Sequence, residues 1–165
     1  MKSHDLTPSK LRERLYWWAQ RYLSFRLRSQ KEVVDYLTQK ANKYLPDRDN
    51  QELVGDIIHQ LVDETAIDDW KFVDWWVGER MYFKPRSKKL LTIELLQKGV
   101  KRDLIDQYFN ENTIDDVASA KIIARKKLSK LGPKKTIEFL QRKGFGFHIS
   151  KEVVEEIEKN DYNTF

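Results

Sequence analysis

The sequence predicts an all-α protein, nine helices arranged as three tandem three-helix units in an elongated stack. Three observations carry this. Only six Gly and four Pro punctuate 165 residues. Apolar residues recur at three- and four-residue steps, and strict alternation is nowhere sustained. A helix and its ending also recur: "LTIELLQKGV" from Leu91 is echoed by "TIEFLQRKGF" from Thr136.

Each helix has its own local signals. Helix one begins with Thr7 as N-cap and Pro8 at the first helical position, and turns Leu11, Leu15, Ala19, Tyr22 and Leu23 inward. Helix two begins at Ser29, where Glu32 completes a capping box, and packs through Val33, Tyr36 and Leu37. "ANKYLPDRDN" reads as a loop. Helix three, from Asn50 to Glu64, carries Leu53, Ile57 and Leu61 beside Val54, Ile58 and Val62. Helix four, from Asp68 to Tyr82, buries Phe72, Val73, Trp76 and Val77. Helices five and six cover Ser87 to Lys98 and Arg102 to Asn110. Helix seven begins at Thr113 and carries Val117, Ala120, Ala124, Leu128 and Leu131. Helix eight runs from Gly132-Pro133 to Lys143. Helix nine starts at Ser150 and packs Val153, Val154 and Ile157.

A repeat emerges when the chain is shifted against itself. Moved by 58 residues, Arg28-Ser29 falls on Arg86-Ser87 and Leu37 on Leu95. Moved by a further 45, Leu95 falls on Leu140 and Lys98-Gly99 on Lys143-Gly144. The Lys-Gly ending has a physical reason. Glycine takes the left-handed conformation that closes the last carbonyls, and lysine suits the negative end of the helix dipole. Ala41 stands where the first copy should have glycine, so it carries a steric cost or uses another cap. The implied boundaries are 1–64, 65–111 and 112–165, and stacked units give extended faces.

Charge follows the same rhythm. Lys plus Arg against Asp plus Glu count 10 to 4 over residues 1–45, 3 to 10 over 46–83 and 7 to 1 over 84–102. The remaining blocks count 0 to 5 over 103–120, 10 to 1 over 121–151 and 1 to 5 over 152–165. Units stacked in one sense would align the basic helices into a stripe suited to a polyanion or an acidic, helically repeating partner. The same blocks also read as ordinary solvated faces. Arg26, Arg28, Lys31, Arg86, Lys88, Lys89, Lys134, Lys135, Arg142 and Lys143 flank the repeated helix and are the candidate contacts. Trp75, off the buried face of helix four, is the aromatic candidate, while Trp76 reads as core.

Catalytic chemistry finds no support. No cysteine is present, which excludes disulfides and thiolate sites. His4, His59 and His148 sit far apart in sequence, so no metal and no cofactor is expected. Asp68-Asp69 reads as an N-cap and a first-turn acid. Gly132-Pro133-Lys134-Lys135 lacks the remaining residues of a phosphate loop. No apolar run nears the roughly 20 residues of a membrane span, and the first residues lack a signal peptide's apolar core. A cytoplasmic monomer that is not an enzyme is expected.

Four segments, in this order and spacing, resemble the RecX family of recombination regulators. They are "RYLSFRLRSQKEVVDYLTQKA" from Arg21, "LVDETAIDDWKFVDWWVGER" from Leu61, "LLQKGVKRDLIDQYF" from Leu95 and "LGPKKTIEFLQRKGF" from Leu131. The second is the most distinctive, through Leu61, Ile67, Asp68, Asp69, Phe72, Val77 and Arg80. The chain departs from the pattern at Ala41, at Val73, in the long loop with Pro46 and in "FGFHI" after Gly144. The resemblance covers roughly residues 11–158. It implies a stack of three-helix units that binds the RecA recombinase filament on single-stranded DNA and restrains its growth or activity. A plain nucleic-acid binder using the basic stripe, and a helical adaptor for an unrelated protein, are the alternatives.

Overall fold

The computed structural model describes residues 7–46 and 49–162, leaving His4 outside. Among them lie eight helices: α1 (Pro8–Leu23), α2 (Gln30–Tyr44), α3 (Gln51–Asp63), α4 (Asp69–Phe83), α5 (Lys88–Gln97), α6 (Arg102–Glu111), α7 (Asp116–Arg142) and α8 (Phe147–Tyr162). The helical class holds, but the expected count of nine, and with it three units of three helices, does not. The two helices expected from Thr113 and from Gly132-Pro133 form one element, α7. It is interrupted only at Gly132, with φ 73° and ψ 170°. No loop is needed there. Pro133 lacks an N–H to leave unpaired at a first-turn position, and Thr136 donates its hydroxyl to the Gly132 carbonyl at 2.8 Å.

Other boundaries moved for local reasons. α2 runs a turn beyond Ala41, which lies buried inside it. Alanine has the highest helix propensity, so nothing stops the helix there. α7 is capped by Asp115, which accepts from Ala118 N, rather than by Thr113. α8 begins at Phe147, so "FGFHI" is largely helical. Ser150 sits one turn inside and donates its hydroxyl back to the Gly146 carbonyl at 2.9 Å.

The chain divides into two compact units. The described residues within 1–73 and 97–101 make up one, and those within 74–96 and 102–165 the other. In the first, Leu11, Leu15 and Ala19 of α1 meet Val33, Leu37 and Ala41 of α2, with Val54, Ile57, Ile58 and Leu61 of α3 and Ile67. α1 and α2 are also zipped by aromatic pairs. Trp18 stacks on Tyr44 at 5.2 Å between ring centroids and Tyr22 on Tyr36 at 4.3 Å. In the second unit, Ala120, Ile123 and Ala124 of the first limb of α7 pack with Leu140 of the second limb, with Phe145, and with Val153, Val154 and Ile157 of α8. Trp76, Val77, Leu91, Leu95, Ile105, Tyr108 and Phe109 are buried as well.

Candidate interaction surface

A helix start leaves backbone N–H groups without partners, and a helix end leaves carbonyls. The repeat brings one kind to the other, twice. In the first unit, Ser29 caps α2 and accepts from Glu32 N at 3.2 Å, and its hydroxyl donates to the Lys98 carbonyl at 2.6 Å. Gln30 N donates to Asp69 Oδ1 at 2.8 Å. In the second unit, Ser87 caps α5, accepting from Leu90 N at 3.1 Å, and its own N–H donates to the Lys143 carbonyl at 3.3 Å. Lys88 N donates to Asp116 Oδ1 at 2.8 Å. Ser29 and Ser87 are fully buried. The repeated Arg-Ser and Lys-Gly phrases are thus the two sides of one joint.

Glycine is required at both joints. Gly99 has φ +77° and Gly144 φ +87°. A Cβ on Gly99 would lie 2.3 Å from the Lys31 side chain, and one on Gly144 2.4 Å from Ser87 Oγ. The two joint acids also share their electrostatics. Burial pushes the Asp69 carboxyl up; the Gln30 amide opposes this and neighbouring Asp68 adds to it. Burial likewise pushes Asp116 up, the Lys88 amide opposing and Asp115 adding.

Each unit buries a carboxylate under basic groups. Glu32 accepts from Arg26 at 2.8 and 3.2 Å and from Lys98 Nζ at 2.8 Å. Burial alone would raise its pKa, but these donors and their charges prevail and hold it at about 2. Glu94 accepts from Arg80 Nε at 3.0 Å and Trp76 Nε1 at 3.1 Å, and pairs with Arg86. Burial, with the Arg80 charge nearby, lowers the Arg86 pKa.

The ten basic candidates therefore occupy different settings. Arg26 and Arg86 are half-buried in ion pairs. Arg28 lies 3.9 Å above the Tyr22 ring. The Nε atoms of Arg28 and Arg86 are buried without a hydrogen bond among the described residues. Lys31 is exposed and paired with Asp35. Lys88, Lys89, Lys134, Lys135 and Arg142 are exposed and Lys143 is half-buried. The second joint brings Ser87 against Lys143, so the basic groups at residues 86–89 and 142–143 share one locality. Trp75 is half-buried, edge-on to buried Trp76 at 6.1 Å.

Sequence reasoning missed an apolar groove in the second unit. Phe83, Ile122 and Phe139 line it beneath a rim of lysines. The signal that could have shown it was Ile122, one place before buried Ile123 and so off the core face. Among the described residues no group of three or more His, Cys, Asp and Glu could hold a metal ion. None of their helices is long and apolar enough to cross a membrane.

The described residues thus form helices whose buried caps join segments distant in sequence, and comparison gives the kind of protein. No family model matches the chain. It is 30% identical over 136 residues to regulatory protein RecX of Streptococcus pyogenes serotype M1, covering 79% of this chain and 50% of that protein. It is also 30% identical over 138 residues to regulatory protein RecX of Streptococcus uberis. The chain thus spans about half the length of the curated relatives it matches. A crystal structure of RecX from Lactobacillus salivarius superposes with a TM-score of 0.72 and 23% identity, covering 91% of this chain and 98% of that one. A second RecX crystal structure gives a TM-score of 0.72 at 20% identity, over 90% of this chain and 73% of that one. The solved structures share its fold. By its sequence relatives, the chain is a homologue of RecX-family regulatory proteins over 79% of its length.

Proposed function

We propose that the protein is a non-catalytic regulator of a RecA-type recombinase, binding its filament on single-stranded DNA and restraining filament growth, strand exchange and ATP hydrolysis. The 30% identity to RecX regulatory proteins carries this reading. The joints supply the physical side: buried caps fix the helices within each unit, so the basic groups of that unit are presented without being ordered on binding. Lys31 in the first unit, and Lys88, Lys89, Lys134, Lys135, Arg142 and Lys143 in the second, are the proposed contacts to filament or DNA phosphates, and Trp75 is the proposed aromatic contact. Arg26, Arg28 and Arg86 support the fold beneath them. The protein acts in the cytoplasm, as a monomer.

The test is ATP hydrolysis by a RecA recombinase assembled on single-stranded DNA, with this protein titrated in. Suppression well below one molecule per protomer indicates capping of growing ends. Suppression only near saturation indicates binding along the groove. No effect at any ratio, with filaments confirmed present, overturns the proposal.

A further inference from the structure

In the second unit, a groove of about 330 Å³ opens between the end of α4 and the two limbs of α7. That is the small end of ligand pockets, with room for one or two side chains. Its floor is apolar and open: Phe83 is 66% exposed and Ile122 48%, with Phe139 between the limbs. Its rim carries Lys84, Lys126, Lys127 and Lys143, and none of the lining residues is acidic.

Apart from Lys143, whose carbonyl serves the second joint, these lysines lie outside the joints. Arg26, Arg80, Arg86 and Lys98 are committed to Glu32 or Glu94. Among the described residues, none of the four rim lysines forms an ion pair. Two of them approach the Phe139 ring instead, Lys127 at 5.3 Å and Lys143 at 5.6 Å, and Arg142 lies 5.8 Å from it. Four positive charges outside any described ion pair, around an exposed apolar floor, present two demands at once, for carboxylates and for a hydrophobic anchor.

We propose that this groove docks an acidic segment of a partner protein that carries one bulky apolar side chain. The side chain fills the floor over Phe83 and Ile122, and flanking Asp or Glu residues pair with the rim lysines. Apolar anchors in a pocket with a charged rim are how small interfaces gain both affinity and register. A nucleic-acid strand fits less well. Bases need open aromatic faces in a row, and three cations already crowd Phe139. The inference shares only Lys143 with the recombinase reading, and its test uses no recombinase.

The probe is a short fluorescein-labelled peptide of Asp and Glu with one central Phe, followed by anisotropy with the whole chain. Its controls are the same peptide with Ser replacing Phe, and oligothymidylate. The expected result is saturable binding, weakened about tenfold or more by the Phe-to-Ser change, by Lys84→Glu with Lys126→Glu, and by Ile122→Asp. All three substituted positions are exposed. Amide shift mapping on the unaltered chain gives a readout independent of the variants, and the signals of Ile122 and Phe139 should move. Equal binding of both peptides overturns the proposal. So does an absence of shifts at the groove, or displacement of the peptide by oligothymidylate acting through the same lysines.

Discussion

Glu32 is where three donors converge: the Ser29 amide, the Arg26 guanidinium and the Lys98 ammonium. A carboxylate so held is stabilised in its charged form, and its pKa falls from about 4.5 to about 2. The sign follows. Above the unfolded value the group contributes its full stabilisation. That contribution disappears as pH falls from about 4.5 to about 2, because the unfolded chain takes up the proton first. A shift of this size corresponds to ~3 kcal/mol. Asp69 and Asp116 have raised pKa values, so they act the other way, favouring the folded chain on protonation. The Glu32 effect should therefore be read as a difference. In urea unfolding at a series of pH values, the gap in stability between the parent and Glu32→Gln should narrow from neutral pH toward pH ~2. A constant gap would mean that the basic cluster does not hold Glu32 ionised.

Among the elements, the helix starts with local causes were readable in advance. Thr7 accepts from Lys10 N, Ser29 closes a full capping box, and Asp68 accepts from Trp70 N and Lys71 N. The glycine endings were readable too, since only a left-handed residue closes a helix that way. Ser150 was misread because a serine that bonds back to the preceding turn looks in sequence like one that caps. The interruption at Gly132-Pro133 was readable as well, since Gly132 leaves the helical region with φ 73° and ψ 170°; what was not readable is that no residues are spent on a loop, so the two limbs run on as one element. The basic character of the candidate surface was legible in the charge blocks. The burial of Arg28 and Arg86 was not, nor was the groove. Both depend on which distant segments meet, and periodicity within one helix carries no such information. The joints make a prediction at this scale. Gly99→Ala and Gly144→Ala should each destabilise by at least about 1–2 kcal/mol, the cost of a side chain in the left-handed region. Gly144→Ala should cost more, because its Cβ also meets the Leu90 backbone nitrogen at 3.3 Å, which cannot swing aside. The shift in the denaturant midpoint at unchanged slope measures both. A variant as stable as the parent would show that its joint does not need glycine.

For the molecule as a whole, the proposed activity is one of charge carried on helices that are fixed within each unit. Lys134→Glu with Lys135→Glu alters exposed positions just past the α7 break. This pair should weaken binding to the recombinase filament severalfold and flatten its salt dependence, since fewer counterions are released. Helix content should not change. Asp56→Lys with Asp63→Lys, on exposed positions of α3, is the matched control and should leave binding near the parent level. If the acidic reversals abolish binding and the basic ones do not, the filament reads the other charge block.

The Ser29–Lys98 bond spans 69 residues, and the first compact unit is completed by residues 97–101. Emergence from the ribosome runs in sequence order at about 5–20 residues per second. The first unit therefore waits several seconds, with α3 and α4 already synthesised, for the short segment that finishes the start of α2. During that interval the Ser29 hydroxyl has no Lys98 carbonyl to bond, and Glu32 has only one of its two basic partners. The second unit faces the same delay over a shorter span, since Ser87 is completed by Lys143. A nascent chain stalled after α3 but before residue 97 thus holds α1 to α3 with an unfinished edge, the state in which a chaperone or a protease would find it.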